Sequence, residues 1–416
     1  MPLLTLIFLL AVVAGTATRL WLAQRQIATV TRHRGEVPAP FAQSISPADH
    51  HKAADYAVAR TRLGRLDTVI DALVLLGLTL GGGIDGLDRL WMRIPVSEPW
   101  RGALVILSVL LVMALIGLPL SLWSTFRLEA RFGFNRTTLA LFFMDRLKGL
   151  MLGALIGAPL LLAALELMRR TGALWWVYVW ALWLAVSLLL TWAYPTLIAP
   201  LFNRFSPLSD ESLRTRIEAL LQRCGFASRG VFVIDGSRRS AHGNAYFTGV
   251  GRNKRIVFFD TLISTLDPAE IEAVLAHELG HFKLHHIRRR LIVSAVLALV
   301  GLALLGWLAT RAWFYQGLGL AGASNYGALV LFMLVTPVFT FFVTPLAAHW
   351  SRRDEYAADA FAAQHTPAAA LIAALVILYR DNATTLTPDG VHSQFYDSHP
   401  PALARIARLR EIAPRH

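Results

Sequence analysis

The stretch Asp267–Trp307 reads "DPAEIEAVLAHELGHFKLHHIRRRLIVSAVLALVGLALLGW". Its first half has helical periodicity, with Ile271, Val274, Leu275, Leu279 and Phe282 forming one apolar stripe. Its second half enters through Arg288, Arg289 and Arg290 into an apolar run, Leu291–Trp313. Roughly 17–25 such residues cross a bilayer as a helix. A helix bearing two histidines and a glutamate thus abuts a membrane span.

Six further apolar runs of that length lie along the chain, at about Leu3–Leu22, Val69–Leu90, Ala103–Trp123, Gly149–Leu167, Leu174–Leu197 and Ala328–Ala348. Of the 416 residues, 55% are hydrophobic and only 16% charged, a balance foreign to a soluble globular protein. The first run has no basic residue before its apolar core, so it reads as a retained span and not a cleaved signal. The formal charge of +13 sorts by loop. Basic residues crowd the segment Arg19–Arg65, the connection holding Arg127, Arg131, Arg136, Arg146 and Lys148, and the one ending at Arg290; the alternate connections are poor in them. That bias places the N-terminus outside and the C-terminus in the cytoplasm, and it accounts for the charge without nucleic acid. The single cysteine, Cys224, excludes an intrachain disulfide and a cysteine metal site and reads as a small buried residue at a helix end.

The chain divides into a membrane region with five spans (1–202), a cytoplasm-side α/β segment (203–290), the sixth and seventh spans (291–350) and C-terminal helices (351–416). In the α/β segment, "SDESLRTRIEALLQRCGF" predicts a helix with Ser209 as N-cap and Gly225 as its stop. A strand follows in "GVFVIDGS", then two strands in "NAYFTGVGRNKRIVFF" around a Gly/Asn turn.

Asp267 caps the motif helix, with Pro268 first and Glu270 third in a capping-box arrangement. His277 and His281, four apart, stack on one helix face and can close on a single ion. Glu278 lies beside that pair. This is H-E-x-x-H, two zinc ligands plus a carboxylate that takes a proton from water. Two histidines leave zinc a ligand short, and "SRRDEYAADAFAA" after the last span offers Glu355 as the third. Asp359, one turn on, can accept the N–H of a liganding histidine and fix its tautomer.

In order, "HHKAADYAVARTRLG", "EARFGFNRTTLALFFMDRLKG", "IAPLFNRFSPL", "AHGNAYFTGVGRNKRIVFFDTL", "AVLAHELGHFKLHH", "SRRDEYAADAFA" and "SHPPALARI" resemble the membrane zinc metalloproteases of the type I CAAX prenyl endopeptidase family, the a-factor-converting enzymes. The resemblance covers nearly the whole chain. It implies an all-α polytopic membrane protein whose seven transmembrane helices enclose an intramembrane chamber, with a small α/β zincin-like catalytic insertion. It further implies one zinc ion per chain on His277, His281 and Glu355, with Glu278 as general base. Asn244 would hold the substrate backbone on an edge strand, His399 would stabilise the oxyanion, and Arg405 would position the substrate or its neighbours. The implied partners are membrane lipids and a prenylated or membrane-anchored peptide, with no oligomer required. The connection Tyr315–Gly327 is shorter than the insertion that eukaryotic members carry, and together with Arg/Ala-rich usage it points to a bacterial inner membrane.

The rival readings are a heat-shock-type quality-control protease, a site-2-type enzyme with the motif inside a span, and a transporter or lipid-binding chamber with structural zinc. Glu270, Glu272 and Lys283 around the motif speak against the second, and Glu278 against the third. His285 and His286 at the basic membrane edge, and His242 and His392, read as solvated or interfacial.

Overall fold

The structure, a computed structural model, describes residues 2–226, 230–248 and 255–412. Six helices are long and apolar enough to cross a membrane, and a bent pair makes up to seven. They run over Leu3–Arg32, Glu98–Glu129, Leu139–Arg170, Gly172–Phe202, His286–Leu308 and Asn325–His365, and the pair is Pro47–Leu78 with Gly83–Trp91. The pair corresponds to the expected second span, which is not straight: it turns by 53° at a break where Gly82 takes φ +73°. That left-handed backbone is open to glycine at little cost.

Between 6% and 28% of the most apolar stretch of each span is buried. The first, second, third and last spans wall a cavity of about 350 Å³ that includes Val12, Leu75, Met113 and Pro337, with Arg19, Asp67 and Asp71 among its lining residues. The architecture is therefore that of an all-α polytopic membrane protein built around a hollow interior. The core that adjoins this cavity gathers Tyr326, Leu331, Ile106 and Phe314, and shares Val12 and Leu78 with its wall.

The expected α/β segment forms a four-stranded sheet of order β1-β2-β4-β3. Its strands are β1 Phe205–Pro207, β2 Val231–Ile234, β3 Ala245–Thr248 and β4 Arg255–Phe259. β2 and β4 are parallel, and β3 runs antiparallel to β4 with Ala245 opposite Phe258 and Thr248 opposite Arg255. The turn expected between β3 and β4 lies outside the described residues. β1, which has only three residues and no clear alternation, was not foreseen. β3 is an edge strand, paired only on its β4 side.

The helix preceding β2 spans Glu211–Arg223 and is capped by Asp210, not by Ser209 as the sequence predicted. The Asp210 carboxylate accepts from the amides of Ser212 and Leu213, and it also favours the positive end of the helix dipole. Gly225 ends it at φ +54°, and Cys224 is buried there.

The motif helix, Pro268–Lys283, opens as expected: the Glu270 carboxylate accepts from the Asp267 amide at 2.8 Å. Ile271, Val274, Leu275 and Leu279 of the predicted stripe are buried and Phe282 is half-buried, but Ala273, Ala276, His277 and Gly280 on the other faces are buried too. Helix Thr344–His365, continuous with the last span, covers the histidine side. Gly280 permits the approach. A Cβ there would lie 3.0 Å from Ala358 Cα, 3.2 Å from Ala358 O and 3.2 Å from Phe361 Cβ. Glu272 clamps the helix from behind, bound by Arg216 and Arg223 of helix Glu211–Arg223.

Gly280→Ala should push the two helices apart and lower stability by about 1–3 kcal/mol, the usual cost of overpacking. Thermal unfolding of the purified variant checks this, and an unchanged midpoint would remove the close approach from the argument.

Candidate active site

Two helices supply the cluster. The motif helix brings His277 and His281, one turn apart, and helix Thr344–His365 brings Glu355 and Asp359, also one turn apart. Each pair therefore faces the other across the Gly280–Ala358 contact.

His277 Nε2 lies 3.3 Å from His281 Nε2 and 3.4 Å from Glu355 Oε2, and His281 Nε2 lies 3.3 Å from Glu355 Oε1. A tetrahedral ion with bonds of about 2.0–2.1 Å separates its ligands by about 3.3–3.4 Å. The three donors fit that edge length, and two imidazoles with a carboxylate are the donor set zinc chemistry uses. Glu355 Oε2, fully buried, has no well-formed hydrogen bond within the protein.

Behind the donors lies a second layer. His277 Nδ1 is 2.8 Å from Asp359 Oδ1, as the sequence reading assigned. Arg405 binds the Asp359 carboxylate through both Nε and Nη2 and comes within 4.0 Å of Glu355. Asp359 is 1% exposed and Arg405 6%. A buried aspartate at that depth needs a charged partner, and Arg405 supplies it. The guanidinium is thus committed to the two acids as well as bordering the cavity.

Glu278 faces a cavity of about 650 Å³ whose lining also includes His277, Asn244, Ala245, Tyr379, His399 and Arg405. Burial pushes the Glu278 carboxyl above its ordinary range, the neighbouring histidines pulling it back. Such a carboxylate accepts a proton more readily near neutrality. Asn244 sits exposed at the start of β3, on the cavity rim. His399 lies on the loop before the final helix, Ala402–Ile412. Its side chain is 63% exposed, and Nδ1 is 2.7 Å from Glu355 Oε2. The short helix before that loop, Gly390–Tyr396, is pinned at its start: Asp389, its cap, accepts from Arg25 and Thr29 of the first span, while its amide donates to Gln26.

Residues to which the sequence reading gave no role hold the segment before β3. Tyr56 donates to Glu129 Oε1 at 2.6 Å, and Glu129 Oε2 is 3.6 Å from His242 Nε2. Asn382 Oδ1 takes His242 Nδ1 at 3.1 Å and the Gly243 amide at 3.2 Å. His242 stacks on Phe134 with ring centroids 4.3 Å apart, so it is half-buried and not solvated. The "GFN" turn docks beside it: Ala241 N donates to Phe134 O, and Asn135 bridges to Ser240. None of Tyr56, Glu129, His242 and Asn382 stands in a functional spacing in sequence. Only the distant pairing of 134–135 with 240–241 reveals it.

His392 is likewise half-buried, packed against Tyr396 at 4.7 Å between ring centroids. His286 is 4% exposed, contrary to the solvated reading, while His285 is exposed. The motif helix ends at Lys283 and the sixth span begins at His286, so His277, Glu278 and His281 are not within a span, as a site-2-type enzyme would require.

Residues 207–413 match the model of peptidase family M48, and residues 26–204 match that of the CAAX prenyl protease N-terminal region with five membrane helices. The chain is 31% identical to the CAAX prenyl protease 1 homolog of Homo sapiens over 94% of its own length and 91% of that protein's. It belongs to the M48 peptidases of the CAAX prenyl protease type. The Arabidopsis thaliana CAAX prenyl protease 1 homolog is 37% identical over 70% of this chain and 69% of that one. A crystal structure of S. mikatae Ste24p superimposes with a TM-score of 0.91 at 30% identity, covering 98% of this chain and 99% of the other. This M48 member is accordingly a multi-pass membrane metalloendopeptidase. Its cavity and its His-His-Glu cluster lie together beside the sheet-bearing segment of the fold.

Glu355→Ala should lose bound metal by elemental analysis; stoichiometric metal in that variant would strike Glu355 from the ligand set. With Glu278 as the base, its raised carboxyl would set the acid limb of activity. Its basic form is lost as pH falls through that raised value, so kcat/KM should decline with a midpoint above the ordinary Glu value of about 4.3. A pH–rate profile with its acid midpoint at or below that value counts against Glu278 as the base.

Proposed function

We propose that the chain is a zinc endopeptidase that removes the C-terminal tripeptide of prenylated CAAX proteins or peptides, with one zinc ion per chain. The observation that carries this reading is the His277–His281–Glu355 cluster, with Glu278 beside it, on the wall of a cavity bordered by an edge strand. The relatives named CAAX prenyl protease 1 support the substrate class.

Zinc held by His277, His281 and Glu355 supplies Lewis acidity, making the scissile carbonyl more electrophilic and a neighbouring water more acidic. Glu278 accepts the proton of that water and returns it to the leaving amine. The peptide adds to the free edge of β3 by main-chain pairing, and Asn244 fixes its backbone at the cavity rim. His399 turns from Glu355 toward the developing oxyanion and stabilises it. Asp359 holds His277 in the tautomer that leaves Nε2 free, and Arg405 holds Asp359 and, through it, the surroundings of the bound peptide.

The bias of basic residues among the loops supports a topology with the N-terminus outside and the C-terminus in the cytoplasm, and the proposed membrane is the inner membrane of a bacterium. The segments 1–202, 203–290, 291–350 and 351–416 then act as membrane scaffold, catalytic insertion, closing spans and third-ligand unit. Lipid, and a substrate arriving from the membrane, are the partners; neither nucleic acid nor an oligomer is required.

Purified protein should cleave a farnesylated CAAX peptide, lose that activity to a chelator, and cleave the unprenylated peptide more slowly. Glu278→Gln should keep stoichiometric zinc while its rate falls by about 10²–10⁴, the usual contribution of a positioned base. Parent-like cleavage by the variant would overturn the mechanism. Equal rates on the two peptides would remove the prenyl group from the proposal and leave a general membrane protease.

A further inference from the structure

The two histidines of the cluster have different partners on their outer nitrogens. His277 Nδ1 meets the Asp359 carboxylate. His281 Nδ1 instead meets another ring nitrogen, His286 Nδ1, at 3.0 Å, with ring centroids 5.2 Å apart. His286 Nε2 in turn lies 3.7 Å from Asp354 Oδ1. Asp354, 4% exposed, precedes Glu355 on the same helix and is bound by Arg289, with Arg290 at 3.9 Å.

The geometry allows one proton arrangement if His281 is a ligand. With Nε2 turned to the ion site, the proton of a neutral His281 ring sits on Nδ1 and must donate. His286 Nδ1 must then be the bare acceptor, which puts the His286 proton on Nε2, facing Asp354. The reverse arrangement, His286 donating to His281, would place a proton on His281 Nε2 and block it. The backbone is bent to make the contact. His285, a residue with a Cβ, takes the left-handed φ of +60°, which breaks the chain between the motif helix and the sixth span and returns His286 toward His281.

We propose that His286 is the positioning residue for the second histidine ligand, accepting the His281 Nδ1–H and backed by Asp354 and Arg289. This inference rests on the metal reading of the site. Arg289 belongs to the basic cluster at the mouth of the sixth span. One of the arginines that mark the membrane edge is therefore also the far end of the chain that orients a ligand.

Metal affinity of the purified full-length protein, measured by zinc retention against graded chelator, tests it. Asn is the informative replacement, because its Oδ1 occupies the place of the histidine Nδ1 and can accept the same proton. His286→Leu should bind zinc about 10–100-fold more weakly, as loss of such outer partners does, while His286→Asn stays within about threefold of the parent. Unfolding of parent and variants in saturating chelator separates a metal effect from a general loss of fold, and the metal-free midpoints should agree. Leucine binding as tightly as the parent, or asparagine losing as much as leucine, overturns the inference. Should the leucine variant not fold, asparagine alone decides: within about threefold supports it, and a loss of about tenfold or more overturns it. A parent that takes up no zinc sinks the reading of the site itself, which is a different failure.

Discussion

The structure depends on one close crossing, Gly280 of the motif helix against Ala358 of the helix that continues the last span. At that crossing two helical pairs, His277/His281 and Glu355/Asp359, come within 3.4 Å of each other at their ligating atoms. A larger residue at 280 would hold the acids away from the imidazoles. The crossing also creates a burden, since it removes two carboxylates from water. Arg405 on Asp359, and the histidines on Glu355, offset that cost. Close packing and charge compensation are thus parts of one arrangement.

Placing this crossing at the membrane edge ties the chemistry to the spans. Glu355 rides on the last span, His286 begins the sixth, and Asp389 of the loop leading to His399 is held by Arg25 and Thr29 of the first. Tyr56 and Glu129, at the ends of the second and third spans, reach His242 beside β3. Each element of the site therefore has a membrane helix as its support. Rigid scaffolding of this kind is what keeps a catalytic constellation within a few tenths of an ångström.

The His242–Asn382–Gly243 bonds fix the approach to β3. Asn382 satisfies the Gly243 amide that β3 pairing leaves behind. The "EARFGFN" stretch, which by its own composition reads as a basic loop, is in the fold the brace beside the segment that leads into β3.

The sequence alone determined the apolar runs, the basic loops, the capped motif helix, and the pairing of His277 with His281 and of Glu355 with Asp359. Each of these is a local property, set by hydropathy or by the 3.6-residue period. It could not show the 53° bend in the second span, the choice of Asp210 over Ser209 as cap, or the short β1, where neighbouring residues compete and packing decides. The burial of His286 lay equally beyond it. A histidine next to three arginines looks solvated until the left-handed turn at His285 folds it back. Which distant side chains meet depends on how helices cross, and that is decided by three-dimensional packing rather than by any spacing along the chain.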